Sequence, residues 1–210
     1  MSLFDELVKK RRSIRKYRDE MPPEAWIEKM LLAASQAPSP SNTQPVRFVR
    51  INSSSIKTAL RESMETGRQR LLQAAAATDK PKNMRNWINA YYRYSEFMFR
   101  APVLIAVGVV LPSSGFFLKL YKSGLITTGE KVSTNADISV GLALEGFVLK
   151  AQELGLGSCI LTAPLGFISD AEEILGIKEM EIKCFVVAGF PDEKPHAPVK
   201  LGLEEIYLQI

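Results

Sequence analysis

One histidine, His196, and two cysteines, Cys159 and Cys184, are the whole supply of imidazole and thiol in this chain of 210 residues. That set cannot build a zinc site of ordinary spacing, which draws its four ligands mainly from Cys and His. Each cysteine sits inside an apolar run, "SCILTA" and "KCFVV", and reads as a reduced thiol of the core. The histidine stands in "PDEKPHAP", with no nucleophile-elbow motif to support a Ser-His-Asp triad. No apolar run reaches the ~18 residues of a membrane-spanning helix. The start, "MSLFDELVKKRR", has early acids and no apolar stretch of a signal peptide, so the chain reads as cytoplasmic. Internal repeats and low-complexity linkers are absent, which favours one domain over 1–210. Nucleotide fingerprints are absent too. "GLITTGEK" puts Glu130 where a phosphate-binding lysine belongs, and "GLGS" follows a helix pattern instead of opening one.

Composition is that of an ordinary soluble protein, 46% hydrophobic and 24% charged, with a net charge of +4. The basic excess is local: "KKRRSIRKYR", residues 9–18, holds seven Lys or Arg in ten positions. Such a cluster suits nucleic acid, anionic lipid or a phosphorylated ligand, or is a solvated face at a helix end. Nucleic acid would call for a longer basic stripe or repeated aromatics on a sheet, which the rest of the chain does not supply. Helical spacing predicts helices over 2–12, 21–37, 53–78, 83–100 and 138–155, the last stopped by Gly155. Apolar runs predict strands near 46–51, 103–110, 158–163 and 183–191, and the tail "LEEIYLQI" alternates as a weak final strand. Ser169 and Glu172 have the spacing of a capping box. Residues 111–135 show no clear period and read as an irregular insert. Helices and short apolar strands alternate, so the class is α+β or α/β.

Two segments carry the chemistry. Arg11, Arg12, Ser13 and Arg15 fall in a short turn after the first helix, where guanidinium forks and a hydroxyl can surround one phosphate. "APSPSNTQPVRF", residues 37–48, fixes its backbone with Pro38 and Pro40. It offers donors and acceptors from Ser39, Ser41, Asn42 and Gln44. That mix suits the edge of a flat heteroaromatic ring, and equally a turn that only caps and connects.

"RRSIRKY", then "APSPSNTQPVRF", "PVLIAVGV", "GLALEGFVLKAQELGLGSCIL" and "VVAGFPDEKP" follow one another in an order and spacing that resemble the nitroreductase family of flavin enzymes. The likeness covers nearly the whole chain and is weakest over 53–90 and 111–135. It implies an α+β fold around a mixed sheet and an intertwined homodimer with two FMN sites at the dimer interface. By the resemblance, Arg11, Arg12, Ser13 and Arg15 hold the FMN phosphate and ribityl chain, Arg15 reaching the ring. Pro38, Ser39 and Asn42 come from the other subunit, supported by Gln44. The backbone at Thr162 and Ala163 meets flavin N5, and Lys200 meets the phosphate, as a point charge where the family commonly has an arginine. Arg93 is the candidate from the helix before the central strand, and the insert covers the substrate face. The implied activity is hydride transfer from NADH or NADPH to a small electron-poor acceptor, such as a nitroaromatic or quinone, in ping-pong order, with no catalytic side chain and no metal. Ene reduction, dehalogenation, flavin fragmentation and flavin binding without turnover are the alternatives on that scaffold. Neither nucleic acid nor membrane is an implied partner.

Overall fold

The computed structural model describes residues 2–110, 116–126 and 130–210. At its centre is a sheet of β1 (Val46–Arg50), β2 (Val103–Val109), β3 (Gly157–Leu161) and β4 (Glu181–Gly189), in the order β1-β2-β4-β3. All neighbouring pairs of these strands run antiparallel. Among the described residues the sheet is mixed only at its β3 edge, where Ser13 bridges Ser158 in parallel. The central strands β2 and β4 are covered on both faces, which explains their unbroken apolar sequences.

Successive residues of a strand face opposite sides, and the core divides accordingly. On one face Leu104, Ala106, Cys159, Phe185 and Val187 pack beneath α3 (Ser54–Ala74), α4 (Pro81–Glu96) and α7 (Ala171–Leu175). On the other, Val103, Ile105, Val107, Cys184 and Val186 pack beneath α2 (Glu24–Ser35) and α6 (Glu130–Glu153). The expected core thiols are therefore buried, free, and on opposite faces of the sheet. Burial pushes the Cys184 thiol up to about 12. Ile27 and Met30 of α2 are fully buried against α6 side chains such as Phe147, and burying each contributes about 1.5–3 kcal/mol.

The helix signals act as the chain chemistry dictates. Ser2 caps α1 (Leu3–Lys10) in a box with Asp5, whose carboxyl is held below its usual range by the Ser2 N–H. Gly155 ends α6 at φ +75°, a conformation a side chain disfavours.

Three expectations are corrected. The stretch 111–135 is not irregular throughout: it contains α5 (Phe116–Lys122), and α6 begins within it at Glu130, while 111–115 and 127–129 lie outside the described residues. The tail forms the short α8 (Leu203–Ile206), not a strand. Its start is closed locally by the Gly202 N–H donating to Glu205 at 2.8 Å. The capping box of Ser169 and Glu172 does not form. Asp170 is the residue before α7, and the Glu172 carboxylate instead accepts from the Ile182 N–H at 2.9 Å, tying α7 to β4.

Candidate functional site

The basic segment after α1 is extended, not a turn, because the sheet recruits it. The Ile14 N–H donates to the Ser158 carbonyl at 3.0 Å and the Arg18 N–H to the Phe190 carbonyl at 3.0 Å. The Glu193 carboxylate accepts from the backbone N–H groups of Arg15 and Lys16. Tyr17 is half-buried and donates its hydroxyl to the Ile14 carbonyl; burial pushes its ionisation well above the ordinary range. Close approach at β3 is possible because residue 157 is glycine: a Cβ there would come within 2.6 Å of Ile14 Cγ1.

An extended backbone sends alternate side chains to opposite sides. Arg11, Ser13 and Arg15 line one cleft of about 860 Å³, together with Lys9, His196 and Lys200. Ile14 faces the other way, buried above β3 and lining a separate cleft with Gly157 and Glu193. Residues about 190 positions apart in sequence thus bring positive charge to one concave surface. Arg11 is half-buried and its guanidinium makes no hydrogen bond or ion pair among the described residues. Arg12 touches both clefts, but its guanidinium donates to the Lys9 carbonyl at 2.8 Å and the Arg11 carbonyl at 2.6 Å. It satisfies carbonyls that the end of α1 leaves open. Its position in the sequence did not distinguish it from Arg11; its hydrogen bonds do. Glu145 of α6 also lines the larger cleft and opposes an anion there.

Arg15 reaches a second cavity of about 340 Å³, which it shares with Cys159, Thr162, Ala163 and the α4 residues Trp87, Tyr91 and Tyr94. Thr162 stands one residue past β3, and its N–H donates to no acceptor among the described residues. Burial raises the Cys159 thiol, with Arg15, Ser13 and Arg11 pulling the other way. Arg93 does not line this cavity. Trp87 and Tyr91 are four positions apart, so both share a helix face that Arg93 leaves. The α4 aromatics were visible in the sequence as a cluster; their shared face follows from positions 87, 91 and 94, a spacing that helical periodicity reveals.

The loop of residues 37–45 sits elsewhere in the chain. Pro38, Ser39 and Gln44 line a small cavity of about 190 Å³ between α2, β1 and α6, and none of its lining residues belongs to the basic cleft. The loop closes on itself: the Gln44 N–H donates to Ser39 Oγ at 2.9 Å, Gln44 Nε2 to Asn42 Oδ1 at 3.2 Å, and the Asn42 N–H to the Ser39 carbonyl at 3.0 Å. Ser41, Asn42 and Gln44 all have positive φ, at 51°, 52° and 44°. Such left-handed residues cost about 1–2 kcal/mol each outside glycine and concentrate at functional sites. The exposed Asn42 keeps its amide N–H groups for an outside acceptor.

The chain is thus an α+β fold with a helix-covered sheet and a basic cleft at the sheet edge. The Nitroreductase family model matches residues 8–190, and the chain belongs to that family. Lys200 falls beyond the matched residues. The chain is 26% identical over 200 residues to iodotyrosine deiodinase of Thermotoga neapolitana, covering 94% of each protein. Among solved structures it superimposes on a BluB-like flavoprotein from Clostridium difficile 630 with a TM-score of 0.82 at 26% identity, covering 100% of this chain and 99% of that one. The fold is also that of the NADPH:FMN oxidoreductase from Vibrio harveyi complexed with NAD+, with a TM-score of 0.68 at 15% identity, over 98% of this chain and 76% of that one. Among the described residues no helix is long and apolar enough to cross a membrane, and no group of His, Cys, Asp and Glu could hold a metal ion.

Proposed function

We propose that this chain is an FMN-dependent oxidoreductase that takes hydride from NADH or NADPH and reduces a small electron-poor acceptor, a nitroaromatic or a quinone. The observation that carries the reading is the convergence of Arg11, Ser13 and Lys200, with Arg15 beside them, on one cleft. The donor set fits a phosphate monoester. A guanidinium without a partner among the described residues, a hydroxyl and an ammonium would supply charge-assisted bonds to a dianion, and Arg12 preserves the helix end beneath them. Arg15 borders both cavities, so it would meet the ring that continues from the phosphate chain. The unpaired Thr162 N–H would face flavin N5, with Ala163 beside it. Pro38, Ser39 and Asn42, braced by Gln44, would reach the ring from a second copy of the chain, since in their own chain Pro38 and Ser39 line a different cavity with Gln44. The protein would then act as a homodimer with shared sites.

Bound FMN supplies hydride acceptance and donation, chemistry that no side chain here performs. The chain's part is to bind, orient and keep water from the ring. Across one turnover the nicotinamide gives up two electrons and one proton as hydride. The acceptor gains those electrons with two protons, the second from solvent. A single pocket for donor and acceptor implies ping-pong order.

A second reading, reductive dehalogenation on the same scaffold, is supported by the likeness to the Thermotoga deiodinase. Purified protein should be yellow, with a flavin spectrum that bleaches anaerobically on addition of NADH or NADPH and recovers with 4-nitrobenzoate or a quinone. Recovery with an iodinated phenol and release of iodide, but none with the nitro compound, would favour the second reading. Failure to take up FMN would overturn both.

A further inference from the structure

His196, the single histidine of the chain, has no part in the proposed hydride transfer, yet the fold delivers it to the basic cleft. Segment 15–18 holds the chain that leaves β4. Tyr17 bridges Pro191 in antiparallel fashion, the Asp192 N–H donates to the Lys16 carbonyl at 2.9 Å, and the Glu193 carboxylate accepts from the N–H groups of Arg15 and Lys16. Three successive residues beyond β4 are thus tied to the segment that bears the arginines. Pro195 and Pro198 bracket the next step. Each fixes its own φ and keeps the residue before it out of the helical region, so the short run between them has little freedom to lose when a ligand arrives. His196 stands in that run and lines the cleft of about 860 Å³. Its ring is exposed and makes no hydrogen bond or ion pair among the described residues, so both nitrogens are open to a ligand.

Histidine is the side chain whose charge ordinarily changes between about pH 5 and 8. Facing it are Lys9 from α1, Arg11, Arg12 and Arg15 from the segment that follows, Lys200 from the tail and Glu145 from α6, residue types that ordinarily titrate outside that range. We propose that His196 makes the retention of FMN depend on pH. The inference rests on the reading of this cleft as the FMN phosphate site. A phosphate dianion seated among these cations would hold a proton on the imidazole, and the imidazolium would add one more charge-assisted hydrogen bond to it. Below the imidazole's titration range that bond is fully made. As pH rises through the range it is lost, and the phosphate is left to Arg11, Ser13, Arg15 and Lys200. FMN is therefore released more readily on the alkaline side.

The phosphate itself titrates, at about pH 6, so the test compares wild type with His196→Gln at each pH, where that contribution cancels. In fluorescence titration at pH 6, wild type should bind FMN about 5-fold more tightly than the variant, the upper end for an exposed charged pair. At pH 8.5 the two should agree. His196→Lys, charged at both pH values, should keep the same advantage over His196→Gln at both. Riboflavin, which has no phosphate, should bind all three chains alike. A second readout uses the imidazole directly. With histidine alone isotopically labelled, the chain gives one imidazole Cε1–H signal in NMR. At pH 7, FMN or inorganic phosphate should move that signal toward its imidazolium position, and riboflavin should not. An advantage over His196→Gln that is equal at pH 6 and pH 8.5 would make His196 a neutral contact and overturn the proposal. An equal loss of riboflavin would overturn it too, by making the residue structural, and so would an imidazole signal that FMN leaves unmoved while bound. A wild-type chain that takes up no FMN would sink the FMN reading itself, a failure that none of the other arms produces.

Discussion

Segments 11–15 and 37–45 are both short, polar and rich in hydrogen-bonding groups, yet the structure treats them in opposite ways. The first is pinned to the sheet by its backbone and to Glu193, leaving the Arg11 side chain unspent. The second spends its own hydrogen bonds on itself and holds three residues at positive φ. The first is a row of basic side chains that the chain holds over its own sheet-edge cleft. The second is a stiffened projection that lies away from that cleft in its own chain. Stiffness established before docking reduces the entropy lost on contact, which suits a segment that acts on something outside its own fold.

Substitutions should separate the two regions by ligand. If Arg11 holds the FMN phosphate as proposed, Arg11→Ala removes a charged donor worth about 1.5–3 kcal/mol. FMN affinity should fall about 10- to 150-fold, while riboflavin, which has no phosphate, binds wild type and variant alike in fluorescence titration. Equal losses for both ligands would make Arg11 structural. Ser39→Ala removes the acceptor for the Gln44 N–H and loosens the loop, so FMN and riboflavin should both weaken, by about 3- to 10-fold for a bond worth ~1 kcal/mol. A loss confined to FMN would merge the two regions into one phosphate site. Arg12→Ala should lower thermal stability by about 1 kcal/mol through the freed carbonyls of α1, with FMN affinity changed less than ~3-fold. A loss as large as that of Arg11→Ala would contradict the division by alternate side chains.

Acid should expose a smaller difference, in the support behind α4. The Glu65 carboxyl is held below its ordinary 4.5, first by Gln69 and then by Tyr92 and Arg68. A carboxyl with a lowered folded-state value stabilises the fold above 4.5, and that contribution is lost as pH falls through the folded value. Glu65→Gln should therefore melt closer to wild type at pH 3 than at pH 7. The gap at pH 7 should be small, because the group is well exposed to solvent. An equal gap at both pH values would remove the ionic part of this account.

The sequence was most readable where one periodicity governed a whole element. β2 and β4 appear within two residues of where apolar runs put them, and α6 covers most of the stretch its helical spacing predicts although it starts earlier, at Glu130, because packing against a core reinforces the local pattern. It was least readable where a remote partner decided. Nothing local says that residues 13–18 will be drawn onto the edge of β3 and past Phe190, so a turn was expected and an extended segment formed. Glu172 has the right spacing to cap α7, but Ile182 of β4 claims it. For the candidate site, the resemblance named Arg11, Ser13, Arg15 and Lys200, and the structure gathers them in one cleft. It named Arg12 with them, although that guanidinium serves the helix end. The outward aromatics of α4 carry no such signal in the sequence, since a cluster of aromatics in a helix is ordinarily core, and only the fold shows Trp87, Tyr91 and Tyr94 to be exposed.

The comparison between the two segments is tested most directly by a heterodimer of one Arg11→Ala chain and one Asn42→Ala chain, purified with different tags under conditions where chains do not exchange. If the basic segment serves its own chain's cleft and the loop serves the partner's, one site collects both substitutions and the other collects neither. FMN titration should then find one site of wild-type affinity per dimer. Two equally weakened sites would mean that both segments act within a single chain, and would contradict the account.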